Sequence, residues 1–144
     1  NGCIESIASG WALSKFAVEL LKSNQSSLLY EATNKNTKTP TVKEIIIAAK
    51  LGDQKCSQLL KNAGRYIAIG IINAISILNP SKIIIGGRSI QSNDIMFSEI
   101  VNTVKKEAIP EMIKDMTIRS SQLGSLATAI GAATMCLEDY FVVS

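Results

Sequence analysis

The alternation of apolar and polar positions predicts a chain built mainly of helices. Between Trp11 and Leu21 the apolar side chains recur at helical spacing, which predicts an amphipathic helix. Residues 22–40 are rich in Ser, Asn, Thr and Lys, and this composition is typical of a long surface loop. Within that loop, we expect only a short turn at Leu28-Leu29-Tyr30.

Two further helices begin at predicted caps. Thr41 and Glu44 have the spacing of a capping box, in which the hydroxyl and the carboxylate each satisfy an open backbone donor. The helix that they start is short and ends near Gly52. Asp53 is then placed to cap the next helix.

The helix that follows Asp53 is predicted to form the centre of the structure. Its apolar side chains keep a 3.6-residue period for more than twenty residues. The periodic positions are Cys56, Leu59, Leu60, Ala63, Ile67, Gly70, Ile71, Ala74 and Leu78. The opposite face is polar in the first half but carries Ile69 and Ile72 in the second half. We therefore expect the helix to begin at the surface, to end buried, and to stop at Asn79-Pro80.

The remaining pattern predicts two strands and two helices. Lys82 to Gly87 is a β-branched run that ends in paired glycines, which is typical of a parallel strand buried on both faces. A helix from Asp94 to Ile109 is ended by Pro110, and a strand from Met116 to Ser120 precedes a last helix from Leu126 to Phe141. Strand, helix and strand in this order imply a right-handed crossover and a parallel pair. The predicted fold class is helix-rich α/β, with a short parallel sheet flanked by helices.

Composition excludes several classes of function. The 144 residues are 47% hydrophobic and 19% charged, which fits about one globular domain. There is no histidine, so Ser-His-Asp catalysis and a self-contained zinc site are not expected. The three cysteines are widely spaced, which favours a reducing cytosol over a disulfide framework.

Charge and hydropathy exclude two kinds of partner. The net charge of +3 is mild, and the only adjacent basic pair, Lys105-Lys106, is predicted to lie on a solvated helix face rather than in a nucleic-acid patch. The longest near-apolar run, Ile67 to Leu78, is too short to span a bilayer. This part of the chain is therefore not expected to touch DNA or a membrane.

Two glycine-bearing loops are the candidate ligand site. Open parallel sheets collect ligands at the carboxyl ends of their strands, where Gly86-Gly87 and Ser120 to Gly124 lie. Glycine lets the backbone approach a ligand closely, and the small residues from Ala127 to Ala133 would leave room for a flat ligand. Turn formation by the glycines and close packing of the last helix on a strand are the structural alternatives.

The segment Gly2-Cys3-Ile4-Glu5 is a second candidate site. Its structural alternatives are a cysteine that acts as a small buried hydrophobe and a first-turn glutamate that suits the helix dipole. Cys56 and Cys136 lie on apolar helix faces and are predicted to be core residues.

Taken together, these segments resemble the ROK family, whose members are bacterial sugar kinases and sugar-responsive transcriptional repressors. The family carries a zinc motif of the form C-x-C-G-x-x-G-C-x-E followed by Ala-Ser-Gly. The matching segments here are Gly2-Cys3-Ile4-Glu5, Ala8-Ser9-Gly10, Gly52-Asp53, Leu78-Asn79-Pro80, Ile83-Ile84-Ile85-Gly86-Gly87 and Ala129-Ile130-Gly131-Ala132-Ala133. Their order and spacing cover nearly the whole chain except residues 22–40.

The resemblance implies a fold and a zinc ligand. The fold is the C-terminal portion of an actin-like ATPase (ribonuclease H-like) domain, so residues 1–144 would form a single partial domain. Cys3 aligns with the last cysteine ligand of the family's zinc site, and the other ligands would lie upstream. One thiolate cannot make a tetrahedral site, so zinc is expected only in the full-length protein.

The resemblance also implies ligand-binding residues. Glu5 aligns with a glutamate that hydrogen-bonds sugar hydroxyls, which suits a carboxylate acceptor. Gly86, Gly87 and Gly124 align with loops that flank adenosine in the kinases, so ATP is a cofactor only if the protein is a kinase. The catalytic aspartate, the phosphate-binding loops and any helix-turn-helix would lie upstream, so this chain alone would not transfer phosphate.

Two details favour the repressors over the kinases. The kinases have a third glycine where Arg88 follows Gly86-Gly87, and they tend to carry acidic residues where this chain has Gly124-Ser125-Leu126-Ala127. The hypothesis is therefore a cytoplasmic, homodimeric, sugar-binding repressor that reaches DNA through an upstream region, and not an enzyme. An ATP-dependent sugar kinase of the hexokinase or glucokinase kind and a bare dimerisation module are the alternatives.

Overall fold

Helices account for most of the fold, and one short parallel sheet lies among them. The computed structural model describes residues 2–23, 28–34, 39–91 and 93–141. The helices are α1 (Glu5–Ala8), α2 (Gly10–Ser23), α3 (Leu28–Ala32), α4 (Val42–Lys50), α5 (Gln54–Leu78), α6 (Arg88–Gln91), α7 (Asp94–Glu107), α8 (Pro110–Ile113) and α9 (Ala127–Phe141). The strands are β1 (Lys82–Ile85) and β2 (Thr117–Ser120), and a single 3-10 turn covers Gly124–Leu126.

The core lies where α5 packs on α7. Leu60 of α5 and both Met96 and Ile100 of α7 are fully buried. Gly64 lets the two helices approach closely, because a Cβ atom at this position would lie 2.9 Å from the Met96 carbonyl oxygen and 3.2 Å from Glu99 Cβ. The central position predicted for the long helix is therefore confirmed.

The predicted caps of α4 and α5 are confirmed. Thr41 and Glu44 form the reciprocal capping box at the start of α4. The Asp53 carboxylate accepts a hydrogen bond from the Cys56 N–H at 3.0 Å and so caps α5. At the other end of α5, Asn79 adopts the left-handed conformation with φ +43°, which stops the helix as predicted.

The segment predicted as a surface loop contains a helix. Leu28–Ala32 forms α3, which packs on α4 through the fully buried Leu29, whereas only a short turn was expected there. The polar neighbours of this apolar triplet concealed it, because five residues are too few to show a helical period. The loop predictions for residues 24–27 and 35–38 lie outside the described residues.

The second half of α5 differs from the prediction. It was expected to end buried, but Ile69, Ile77 and Leu78 are 41%, 80% and 72% exposed. Only one side of this half-helix packs against other described residues, with Ala68 and Ile75 buried. An apolar surface therefore remains open along the end of α5.

Within the residues that the structure describes, the sheet is a single parallel pair. β1 and β2 pair in register from Lys82 with Thr117 to Ile85 with Ser120, which confirms the predicted parallel pair. The expectation that β1 is buried on both faces is wrong, because Ile84 is 64% exposed while Ile85 is buried. Among the described residues, helices cover one face of this strand only.

Two short helices that were not predicted, α6 and α8, lie before and after α7 in the chain. The loop expected after Gly87 contains α6, and α7 ends at Glu107 rather than at Ile109. Pro110 opens α8 instead of simply ending α7, because a proline at the first helical position loses no hydrogen bond.

The last helix, α9, packs very little. Ala127 is half-buried, and every later side chain of α9 that the structure describes is exposed, including Ile130, Met135 and Leu137. Its small residues therefore do not pack on a strand in this chain, and Cys136 is exposed rather than a core residue. None of the helices within the described ranges has the length and apolar character needed to cross a membrane.

Candidate ligand-binding site at the strand ends

The two glycine-bearing loops lie side by side at one edge of the sheet. β1 and β2 run in the same direction, so Gly86-Gly87 and the loop after Ser120 leave the sheet at the same end. The Ser121 N–H donates to the Ile85 carbonyl at 2.9 Å, and a Cβ atom on Gly86 would lie 3.8 Å from Ser121 Cβ. The predicted proximity of the two loops is therefore confirmed.

Open space adjoins both loops. Gly87 has φ +123° and Gly124 has φ +63°, conformations in which other residues are strained. Among the described residues, a Cβ atom at either position would meet no atom within 4 Å apart from those of the glycine and its two chain neighbours. The glycines thus provide a tight turn and leave the backbone accessible to a ligand, but their role in binding stays a prediction.

Glu5 lies on the short helix α1, which packs against α2 and α5. Its side chain is exposed in the first turn of α1, and the described residues offer it neither a hydrogen bond nor an ion pair. The chain then turns at Ser9, whose hydroxyl accepts from the Ala12 N–H at 3.1 Å. A Cβ atom on Gly10 would lie 3.6 Å from Ser89 Oγ, two residues beyond Gly87. Gly10, five residues after Glu5, therefore lies close to α6, the helix that follows Gly86-Gly87. The sugar-binding role of Glu5 stays a prediction.

The cysteines separate into exposed and buried thiols. Cys3 is exposed, and the described residues contain no group of three potential ligands placed to hold a metal ion. These residues alone therefore do not form the tetrahedral site that zinc prefers. Cys56 is buried as predicted, and burial, reinforced by the charge of Asp53 and a hydrogen bond to it, raises the pKa of its thiol to about 12.

A groove that sequence reasoning missed lies between α2 and α4. Its volume is about 790 Å³, and Gly10 and Ser89 form the end nearest the strand loops. Glu5 is not among the residues that line it. The signal that could have revealed it is Trp11, an aromatic residue that was predicted on an amphipathic helix but outside the apolar face, and that is 70% exposed.

Comparison with known proteins identifies the family. The model of the ROK family matches residues 1–139. The chain belongs to the ROK family. Its sheet flanked by helices is the predicted actin-like ATPase fold, as in the ROK structures that it resembles.

Curated relatives include both branches of the family. The chain is 27% identical to the DNA-binding transcriptional repressor Mlc of Escherichia coli K12, over 92% of this chain and 31% of Mlc. It is 28% identical to a glucokinase of Thermotoga maritima, over 96% of this chain and 43% of that enzyme. The chain thus spans between about a third and two fifths of these relatives' lengths, and the identities do not separate the two roles.

The solved structures that the chain resembles also include both a transcriptional regulator and a kinase. A ROK family transcriptional regulator described as a homologue of E. coli Mlc matches with a TM-score of 0.70 and 25% identity, over 83% of this chain and 29% of that one. A ROK family glucokinase from Streptomyces griseus, in complex with glucose and AMPPNP, matches with a TM-score of 0.81 and 25% identity, over 94% of this chain and 44% of that one.

Proposed function

We propose that this chain is the C-terminal, effector-sensing part of a sugar-responsive transcriptional repressor of the ROK family. The observation that carries the proposal is the residue after the paired glycines. Arg88 directly follows Gly87 and is the first residue of α6. The family resemblance implies that the kinases have a third glycine at this position. A long cationic residue type at this position is a poor match for a loop that must admit adenosine.

The proposed mechanism couples sugar binding to a change of state. A sugar binds between this part and an upstream lobe, and the Glu5 carboxylate accepts hydrogen bonds from two of its hydroxyls. Closure of the lobes then shifts the population of a DNA-competent homodimer in the cytoplasm. Cys3 contributes one thiolate to a zinc site whose other ligands lie upstream.

Sugar recognition is supported by both kinds of relative. The relatives include a xylose repressor of Caldicellulosiruptor bescii, 25% identical over 96% of this chain, and N-acetylglucosamine repressors at 28% identity. The Streptomyces griseus glucokinase was solved with glucose bound. A sugar ligand is thus the element that the repressor and the kinase alternatives share.

Substitution of Glu5 tests the sugar site. In the full-length protein, Glu5→Ala should weaken binding of the preferred sugar among glucose, xylose and N-acetylglucosamine by roughly 10- to 100-fold, because charge-assisted hydrogen bonds are lost. Isothermal titration calorimetry measures the affinity, and circular dichroism checks the fold. Glu19→Ala, which removes an exposed acid from α2, is the matched control. Equal affinities for the wild type and Glu5→Ala would contradict the assignment.

The kinase alternative has its own supporting observation. The glucokinase structure matches with the higher TM-score, 0.81 against 0.70, and open space adjoins Gly87 and Gly124. The discriminating measurement is ATP consumption by the full-length protein with the same sugars. Sugar-dependent ATP turnover would establish a kinase, whereas sugar-dependent release of operator DNA without turnover supports the repressor.

The third candidate function, beside repressor and kinase, is that of a dimerisation module. The open apolar side chains of Ile77 and Leu78 favour a contact with another subunit. Analytical ultracentrifugation of the full-length protein measures the oligomeric state. A monomer would contradict both the module and the proposed homodimer, while a dimer that binds no sugar would leave the module as the function.

A further inference from the structure

The groove between α2 and α4 has an apolar centre that the described residues leave open. Trp11 is 70% exposed and Ile47 is 40% exposed, although Ile46 beneath them is nearly buried. Val42 and Gly10 complete the apolar wall. Exposed aromatic and aliphatic side chains that converge from two helices are typical of a binding surface.

The rim of this groove is basic. Lys43 and Lys50 line it, and Lys15 Nζ lies 5.5 Å from the centroid of the Trp11 ring. None of the described residues that line the groove is acidic. Two acids contact residues of this lining: the Glu44 carboxylate accepts from the Thr41 hydroxyl at 2.8 Å, and Asp94 lies 3.7 Å from Lys50 Nζ. Both side chains of the Lys50–Asp94 pair are well exposed. Such an exposed pair is weak, so Lys50 remains available to another anion.

The basic and apolar side chains on one face of α4 extend over a length that a short partner helix could cover. Lys43, Ile47, Lys50 and Leu51 follow the spacing of one helical face, and Leu51 is 65% exposed. From Lys43 in α4 to Leu51, the residue that caps it, the eight helical steps extend for roughly 12 Å, which is about two helical turns. Basic and apolar side chains thus alternate over a length that a two-turn amphipathic helix would cover.

Two other kinds of occupant fit the groove poorly. A sugar needs several free polar side chains, but Thr41, one of the two hydroxyl residues in the lining, already donates to the Glu44 carboxylate at 2.8 Å. An extended peptide needs an open strand edge, but α2 and α4 use their backbone groups within their own helices. The exposed apolar side chains and the lysines of the groove instead match a ligand that has apolar side chains flanked by carboxylates.

We propose that the groove between α2 and α4 binds an acidic amphipathic helix of a partner protein. Aliphatic or aromatic side chains of that helix pack between Trp11 and Ile47, and its flanking carboxylates meet Lys43 and Lys50. This partner site is separate from the proposed sugar site, because Glu5 does not line the groove. It would give a sugar-binding protein a second input from another protein.

A designed peptide pair tests the proposal on the full-length protein. The probe is an 18-residue synthetic helix with Leu and Phe at i, i+3, i+4 and i+7 and Glu on the flanks, and its control is a scrambled peptide of the same composition. Trp11 is the only tryptophan of this chain, so its emission reports directly on the groove. We expect a blue shift of the emission, after subtraction of the Trp11→Phe spectrum, and an affinity at least about tenfold higher than that of the scrambled peptide.

Charge reversal provides the specific control. Lys43→Glu combined with Lys50→Glu should weaken binding of the acidic peptide roughly tenfold at low salt, and a peptide with Lys in place of Glu should then bind better than the original. Lys61→Glu, a reversal on the exposed face of α5, should leave the affinity unchanged. Circular dichroism melting curves verify that each variant is folded.

The outcomes separate the proposal from its competitors. Equal binding of the designed and the scrambled peptides would overturn it, as would unchanged binding by the reversed variant. A blue shift produced by ATP, together with displacement of the peptide, would overturn it in favour of a nucleotide site. The same reversed variant should bind sugar with wild-type affinity, so the partner site and the sugar site can fail independently.

Discussion

The α5–α7 pair and α9 are both rich in apolar residues, yet they have opposite surroundings. In the pair, Leu60, Met96 and Ile100 are fully buried, and Gly64 brings the two helices into close contact. In α9, Leu137 is 56% exposed and Met135 is 69% exposed. The difference shows that apolar composition makes a helix suitable for burial but does not determine which surface covers it.

This contrast predicts different sensitivities to mutation. The α5–α7 pair is stabilised by side-chain packing, so changes of volume should be costly there. A helix of fifteen residues with few tertiary contacts depends on its intrinsic propensity, so α9 should respond mainly to changes in helix formation. Substitutions in the two regions therefore test whether packing or helix propensity stabilises each of them.

The largest effect is expected for a core truncation in α5. Leu60→Ala should lower the free energy of unfolding by about 3 kcal/mol, because it removes a fully buried side chain and leaves a cavity. Leu137→Ala, the same change in α9, should alter it by less than about 0.5 kcal/mol. Urea denaturation monitored by circular dichroism measures both values, and equal losses would show that α9 is as well packed as α5.

The second effect is a difference in thiol chemistry between Cys56 and Cys136. Burial and the neighbouring Asp53 raise the pKa of Cys56 from 9.0 to about 12, whereas Cys136 is exposed. Iodoacetamide at pH 8 should alkylate Cys136 at least roughly a hundredfold faster than Cys56, because the thiolate is the nucleophile and Cys56 must first be exposed. Peptide mapping by mass spectrometry gives the two rates.

The same thiol makes stability depend on pH. Below pH 9 both the folded and the unfolded states keep the Cys56 proton, so its contribution is complete. Between pH 9 and about 12 the unfolded state ionises first, so the free energy of unfolding should fall as pH rises. Cys56→Ala should lose this part of the slope, and an unchanged slope would contradict the raised pKa.

Local features of the fold were predictable from the sequence, whereas exposure was not. The caps at Thr41 and Asp53 and the strand ending at Gly86-Gly87 depend on neighbouring residues, so their patterns were sufficient. The predicted burial of Ile84 and of the end of α5 failed, because burial depends on surfaces that come from elsewhere in space. The groove beside Trp11 was missed for the same reason, since two separate helices form it.

A third, smaller effect compares two glycines of α5. Gly64→Ala should destabilise the protein by roughly 1–2 kcal/mol, because the new methyl group meets the Met96 carbonyl oxygen at 2.9 Å and neither backbone can yield easily. Gly70→Ala meets only the Ile4 side-chain end, which can move, so the helix propensity of alanine should offset the contact. Thermal melts of the two variants provide the comparison, and equal losses would show that close α5–α7 packing does not decide the outcome.

The smallest effect is expected in α9 and tests its exposure most directly. Gly131→Ala should stabilise α9 by roughly 0.5–1 kcal/mol, because alanine is the better helix former and, apart from the chain neighbours and nearby backbone of α9 itself, no atom of the described residues lies within 4 Å of the added methyl group. Amide hydrogen exchange of α9 in the full-length protein, compared with exchange of α5, measures the change locally. Faster exchange in the variant would mean that another surface packs closely on Gly131. In that case α9 is a covered helix like α5, and the contrast between the two regions belongs to this chain rather than to the complete protein.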